Sequence, residues 1–334
     1  MYLIGDVGGT KTNLAVFPSV DDPRDWQIQA SYQNSAWSSL EDLLAAFIHE
    51  HNLLVQAVCL CVAGPVINGE AAFTNLPWRI QEFRLKELFN IDRVRIINDL
   101  VATALSIPHL TGNEVDKLNK GLFMQGGTIA VVAPGTGLGE SYLTWDGRRY
   151  RGFASEGGHV DFAPTSALQW GLLQYLQERY GHVSYERVCS GMGITNIYQF
   201  LKYTGYAPEP SAWAEMIWQS KDPTPIIVNA ALEKDAPDLY RAAVNTFVEI
   251  LGAEVGNMAL KLMTTGGVYL GGGIPPRILP FLHSEKFFYG YRHKGRFEDL
   301  LDSIPIYVIL NPKAALLGCA YEIVELLNYS TSVL

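Results

Sequence analysis

The sequence reads as an α/β protein with two similar halves, on three observations. Strand-like and helix-like stretches alternate along the chain, the pattern of sheets flanked by helices. The run Leu3-Ile4-Gly5-Asp6-Val7-Gly8-Gly9-Thr10 is echoed by Ala130-Val131-Val132-Ala133-Pro134-Gly135-Thr136, each reading as strand, glycine turn, threonine, strand. The length of 334 residues suits about two domains. Two such units far apart point to a duplicated domain with both glycine turns facing one cleft.

In chain order, Tyr2–Ile4 is a short apolar strand and Asn13–Phe17 its return. Leu40, Leu43, Leu44 and Phe47 form one stripe, which predicts a helix over Leu40–Glu50. Val55–Val62 reads as a buried strand, and Asn68-Gly69 supplies the positive-φ pair of a tight hairpin. A short helix over Phe83–Phe89, a strand over Val94–Ile97 and a helix from Asp99 to Pro108 follow. The polar segment 111–127 is read as the domain crossover, and Thr128–Ala133 opens the second strand–turn–strand unit. Helices are predicted over Ala167–Tyr180 and Ile194–Tyr203. The four prolines between Tyr206 and Pro225 argue for a surface loop. Asp238–Thr264 reads as a long helix that Thr265-Gly266-Gly267 would cap. After the strand Val268–Leu270, Gly271-Gly272-Gly273 leads to an expected helix start at Pro275-Pro276. Ile306–Leu310 is the last predicted strand and Ala314–Leu327 the closing helix. The expected division is a small lobe of residues 1–109 plus 312–334 and a large lobe of 110–311.

Composition excludes several classes. The chain is 48% hydrophobic and 18% charged, far from the bias of disordered or collagen-like proteins. A net charge of -9 disfavours nucleic-acid and anionic-membrane surfaces, although backbone amides can still hold phosphates. The apolar run Ala57–Ile67 is broken by Gly64-Pro65 and is too short to span a membrane, and no secretory signal develops after Leu3-Ile4. Four cysteines are too few for a disulfide framework and read as reduced core thiols in a cytosol.

Three glycine-rich turns could carry chemistry. In Asp6-Val7-Gly8-Gly9-Thr10-Lys11, glycines at a strand end would let backbone amides approach a phosphate, and Asp6 could hold Mg²⁺ through water. An ordinary glycine hairpin fits these residues equally well. Gly135-Thr136-Gly137-Leu138-Gly139 fails the dinucleotide fingerprint, because its last spacing is one short and a strand follows it. A second phosphate turn is the better reading. Gly266-Gly267 and Gly271-Gly272-Gly273 flank a short strand, which leaves room for a flat base or serves tight packing alone. Asn98-Asp99 follows an apolar strand at the end where open α/β sheets bind ligands. A carboxylate there can take a proton from an alcohol, or simply cap a helix. With Glu156, His159 and Glu186, these groups suit a neutral polyol.

Taken together and in this order, the motifs resemble those of the bacterial glucokinases of the hexokinase–actin–Hsp70 fold superfamily. The resemblance runs end to end. It takes in Gly5–Thr10, Ile97-Asn98-Asp99, Pro134–Gly139, Glu156–Phe162, Glu186–Gly191 and Gly266–Ile274. It implies a two-lobed actin-like (RNase H-like) ATPase fold, each lobe a mixed sheet flanked by helices, with the active site in the cleft. It implies phosphorylation of the glucose 6-hydroxyl by ATP with Mg²⁺, with Asp99 as general base. By the same resemblance Asn98, Glu156, His159 and Glu186 are sugar ligands, and Asp6 positions Mg²⁺. The nucleotide is held by Gly5, Asp6, Val7, Gly8, Gly9 and Thr10, by Gly135, Thr136 and Gly137, and by Gly271 and Gly272. A homodimer is expected on the same ground. Where a related sugar-kinase and repressor branch has a cysteine-rich zinc motif, this chain has Val160-Asp161-Phe162-Ala163-Pro164, so no structural zinc is expected.

Three rivals remain in view. A sugar-sensing regulator would need a DNA-binding segment, for which a first strand at Tyr2 is expected to leave no room. An actin- or chaperone-like ATPase has no use for the polyol set. A kinase for another hexose is the hardest to separate by sequence, because epimer discrimination lies in unpaired buried hydroxyl partners.

Overall fold

The computed structural model describes residues 1–73 and 76–330; residues 331–334 of the expected small lobe lie outside these. The chain forms two compact units. One comprises Met1–Thr111, Tyr150–Ala154 and Asn311–Leu334, the other Gly112–Arg149 and Ser155–Leu310.

The first unit contains β1 (Tyr2–Val7), β2 (Lys11–Phe17), β3 (Ile28–Gln33), α1 (Leu40–Glu50) and β4 (Ala57–Val62). It continues with β5 (Val66–Ile67), β6 (Glu70–Ala72), β7 (Arg79–Gln81), α2 (Glu82–Phe89), β8 (Arg93–Asn98) and α3 (Asp99–Ser106). The main sheet has the order β3-β2-β1-β4-β8. β1 and β2 form an antiparallel hairpin, whereas β1, β4 and β8 run parallel, so Asp6 lies beside Cys61 and Cys61 beside Ile97. Alternation along the strands feeds two cores. Leu3, Val7, Leu14 and Val16 pack on the α1 stripe Leu40, Leu43, Leu44 and Phe47. Ile4, Ala15, Cys59 and Cys61 pack on Cys319, Ala320 and Ile323 of the C-terminal helix, Ala314–Ser330. That helix meets α3 so closely that a Cβ on Gly318 would lie 1.7 Å from the Ala102 carbonyl oxygen. The Asn68-Gly69 hairpin forms as expected, with φ of 53° and 74°.

The second unit begins with β9 (Val115–Lys117), β10 (Ile129–Pro134) and β11 (Leu138–Trp145). After β12 (Tyr150–Ser155), of which only Ser155 falls in this unit, come α4 (Ala167–Tyr180), α5 (Gly191–Tyr203), α6 (Ser211–Gln219), α7 (Thr224–Leu232) and α8 (Asp238–Leu262). Then come β13 (Val268–Leu270), α9 (Leu279–Leu282), α10 (Glu285–Arg292), α11 (Glu298–Ser303) and β14 (Ile306–Ile309). Its sheet runs β11-β10-β13-β14-β9. The β10–β11 hairpin is antiparallel and β10, β13 and β14 are parallel, repeating the β2-β1-β4-β8 plan of the first unit. The long helix α8, with 16 of its 25 residues buried, is the spine of this core. α10 lies against it where Gly252 and Gly290 leave no room for a Cβ beside Phe287 O and Glu249 O.

Several sequence expectations need correction. The crossover 111–127 contributes β9, an edge strand paired with β14. Segment 206–225 is not a plain loop: it contains α6, because its prolines fall at helix ends, where a missing amide hydrogen matters least. Glu209, just ahead of α6, accepts from Tyr198 Oη (2.5 Å) and Tyr240 Oη (2.7 Å) and pairs with Lys202. α8 stops at Met263, which itself takes the left-handed conformation, rather than at the glycines that follow. Pro275–Arg277 is a 3₁₀ turn, and the next helix starts only at Leu279. Among the described residues no helix is long and apolar enough to cross a membrane.

Candidate active site

In the first unit the candidate groups gather at the carboxyl ends of the parallel strands β1, β4 and β8, where α/β sheets leave a ligand crevice. Asn98, not Asp99, is the N-cap of α3: its Oδ1 accepts from Leu100 N (2.9 Å) and Val101 N (3.1 Å). Its amide nitrogen donates to Gly64 O (3.1 Å) and to Asp99 Oδ1 (3.0 Å). Asn98 therefore orients Asp99 and starts the helix in one stroke. Asp99 occupies the first helical position, and its Oδ1 also accepts from Leu100 N (2.9 Å). The helix N-terminus favours a charged carboxylate there, yet burial wins. Burial, reinforced by the nearby Asp6 charge, pushes the Asp99 carboxyl up to about 6 despite its hydrogen bonds. Such a group is ionised at neutral pH and still basic enough to accept a proton.

Asp6 lies on β1. Asn13 Nδ2 donates to its Oδ2 at 3.4 Å, and the Cys61 thiol approaches its Oδ1 at 3.7 Å. Burial raises its carboxyl above the usual range, with Asn13, Cys61 and Lys11 opposing. Two partly buried, mutually repelling carboxylates at one sheet end fit a hard divalent cation. Among the described residues no group of three or more His, Cys, Asp or Glu is placed to hold a metal. Asp6 and Asp99 supply one or two carboxylates, the number Mg²⁺ takes beside waters and phosphate oxygens. The turn beyond is open: Gly8 N donates to Lys11 O (3.0 Å), and a Cβ on Gly9 would meet nothing within 4 Å. Gly5 and Val7 lie within β1 itself, where Gly5 accommodates the Leu60 and Leu14 side chains.

The second unit repeats the arrangement. Gly135-Thr136-Gly137 follows β10 and Gly271-Gly272 follows β13, both at carboxyl ends of parallel strands. Thr136 is exposed, Gly135 O accepts from Gly191 N (2.8 Å) at the start of α5, and Gly272 has φ +81° against Pro134 O. Beside these turns is a cavity of about 610 Å³. Thr136, Thr195, Lys221, Asn229, Ile274 and Arg277 all line it. Thr224 ties its rim by donating to Gly191 O (2.7 Å). That volume is typical of a small-molecule site. The sequence offered no sign of Thr195, Lys221, Asn229 or Arg277, which reach the cavity only because α5, α7 and the segment before α7 converge there.

The remaining predicted residues come together as a cluster in the same unit. Glu156 precedes the 3₁₀ turn Gly157–His159, and Glu186 lies in the 3₁₀ turn Tyr185–Arg187. The two turns are held side by side by backbone bonds from Tyr185 N to Val160 O and Phe162 N to Val183 O, both 3.0 Å. His159 therefore lies between two carboxylates, 3.8 Å from Glu156 and 4.0 Å from Glu186. Glu186 also accepts from Leu138 N (3.0 Å), and Gly137 leaves space for its carboxylate. The side chains are 71%, 61% and 22% exposed for Glu156, His159 and Glu186, an open polar rim able to hydrogen-bond several hydroxyls.

A glucokinase from Nostoc punctiforme is 37% identical to the chain, over 96% of this chain and 98% of that protein. The crystal structure of a glucokinase from an Antarctic psychrotroph superposes with a TM-score of 0.84 at 27% identity, covering 98% of each chain. A ROK-family glucokinase from Streptomyces griseus, solved with glucose and AMPPNP, shares the fold at a TM-score of 0.64 and 18% identity, over 96% of this chain and 98% of that one. The glucokinase family model matches residues 3–325, and with this match spanning both units and every glycine turn described above, the chain belongs to the glucokinase family.

Proposed function

We propose that the chain is an ATP-dependent glucokinase that transfers the γ-phosphoryl group of ATP to the 6-hydroxyl of glucose, yielding glucose 6-phosphate and ADP. The observation that carries the mechanism is Asp99, a carboxylate held by Asn98 and raised toward neutrality by burial. Asp99 accepts the 6-hydroxyl proton as that oxygen forms its bond to the γ-phosphorus. The bond from the γ-phosphorus to the bridging oxygen breaks, and ADP leaves with that electron pair. Glu156, His159 and Glu186 hold sugar hydroxyls, and Asn98 joins them as a sugar ligand. Gly8, Gly9 and Thr10 and the Gly135–Gly137 turn offer amides and hydroxyls to the phosphates, while the cavity bounded by Lys221, Asn229 and Arg277 takes the nucleoside. Asp6, with Asp99 nearby, would hold Mg²⁺, which when bound offsets the phosphate charge. Such a site works by positioning and electrostatic stabilisation.

The repeated hairpin-plus-parallel plan supports placing the family in the hexokinase–actin–Hsp70 fold superfamily, with residues 1–109 and 312–334 as small lobe and 110–311 as large lobe. A cytoplasmic homodimer belongs to the same reading. The deciding test is ADP release over a panel of hexoses with ATP and Mg²⁺. Strong turnover with glucose alone is expected, with far slower ADP release when sugar is omitted. Turnover with several hexoses would widen the substrate, and stimulation by none would overturn the proposal.

A further inference from the structure

Below the polar rim lies a buried pair of acids that the mechanism does not use. Glu140 on β11 is 2% exposed and Glu254 on α8 is 0% exposed. Neither oxygen of Glu140, nor Oε1 of Glu254, has a hydrogen-bond donor. Glu254 is the charged group that acts most strongly on Glu140, which makes the two buried carboxyl groups close neighbours. Two ionised carboxylates so placed would be very unfavourable, and one proton between them removes the conflict.

The pair touches both turns of the rim. A Cβ on Gly157 would lie 1.9 Å from Glu140 Oε2, so Glu140 packs directly beneath the backbone of the Glu156–His159 turn. Glu254 Oε2 accepts from Asn257 Nδ2 (2.9 Å), which also donates to Tyr185 Oη (3.0 Å). Tyr185 is the residue before Glu186. The charged and titratable groups facing the pair are Lys261 on α8, 3.9 Å from Glu254, Lys294 after α10, and Tyr185 and Cys189 on the segment leading into α5. Lys294 reaches the pair through Asn257 Oδ1 (2.7 Å).

From this geometry we infer that Glu140 and Glu254 share one proton and act as positioning residues, fastening the two turns that present Glu156, His159 and Glu186 to the sugar. The inference rests on the proposed sugar site and extends it. Burial, then the Glu254 charge, pushes the Glu140 carboxyl up to about 8, so the proton is present through neutral pH.

The test compares wild type, E140A and E140Q by glucose KM and kcat from pH 6 to 9.5, and by Tm without sugar from pH 4.5 to 9. E140A leaves the Glu254 carboxylate buried without its partner. It should raise glucose KM about tenfold at pH 7, with a smaller change in kcat. E140Q keeps a donor toward Glu254 and should recover most of that loss. In wild type KM should rise above pH 8; in E140Q that rise should be absent. The native carboxyl is raised, so its contribution to stability is full below the unfolded value near 4.5 and lost as pH climbs to about 8. Wild-type Tm should therefore fall relative to E140Q across that window and run parallel above it. An E140Q enzyme as impaired as E140A, or one retaining the alkaline KM rise, would overturn the inference. If E140A does not fold, the comparison of wild type with E140Q still decides, through the alkaline KM rise and the relative Tm slope. If wild type phosphorylates no hexose, the functional proposal fails while the Tm comparison still decides the shared proton.

Discussion

Replacing Asp99 by Asn should remove most activity while making the protein more stable. The native state holds this carboxyl at about 6 against an ordinary 3.8. At roughly 1.4 kcal/mol per pKa unit, ionised Asp99 costs the fold up to about 3 kcal/mol at neutral pH, an upper bound because the residue is partly exposed. Asn is neutral and keeps the Oδ1 acceptor that faces Leu100 N and Asn98 Nδ2. At ~2–4 °C per kcal/mol, Tm at pH 7.5 should rise by several degrees. The sign follows from the direction of the shift. Because the folded value is raised, wild type loses stability as pH climbs from about 3.8 to about 6. The advantage of D99N should therefore be complete above pH 6, shrink below it and vanish near pH 4. Turnover should fall a hundred- to ten-thousandfold, the usual worth of a general base, with glucose affinity within a few-fold. In wild type, kcat/KM should fall below pH 6 as Asp99 takes up its proton. The assays are a pH series of thermal melts, coupled ADP release and a glucose titration. Wild-type-like kcat in D99N would remove Asp99 as the base. A lower Tm at pH 7.5 would show that its hydrogen bonds outweigh its burial.

Two glycine substitutions probe the scaffold. Gly318→Ala ought to help an exposed helix by about 1 kcal/mol, but here the new Cβ would meet the Ala102 carbonyl at 1.7 Å. It should instead destabilise by roughly 1–3 kcal/mol and lower kcat through α3, which begins at Asp99; a melt at or above wild type would refute this packing. Gly137→Ala would put a Cβ 2.4 Å from Glu186 Oε2. It should raise glucose KM about tenfold, as expected from losing one or two hydrogen bonds; an unchanged glucose KM would count against Glu186 as a sugar ligand.

Much of this architecture was legible in local sequence. Each glycine turn was readable, because a strand end that must expose amides or turn sharply admits few other residues. The α1 stripe and the Asn68-Gly69 hairpin are short-range signals of the same kind. The elements missed were those whose identity depends on a distant partner. β9 is a three-residue strand that exists because Val308 and Asp116 stand opposite each other across almost the whole second unit. α6 was hidden by prolines that precede it and that begin α7, rather than mark a loop.

The candidate site divides in the same way. Residue types and order offered Asp99, Asp6, Glu156, His159 and Glu186 as candidates, and the family resemblance proposed a role for each. Tertiary structure decided what those groups can do. It assigned the cap to Asn98 rather than Asp99, set His159 between two carboxylates, and brought Lys221 and Arg277 to one cavity. It also buried both Glu140 and Glu254, although Glu140 looks in sequence like any polar residue of a strand. Sequence by itself determined the strand–turn pattern and the chemical inventory, because backbone preference and side-chain chemistry are properties of single residues and near neighbours. Burial, and with it every raised carboxyl in this protein, depends on which segments pack above a group, and only the folded chain decides that.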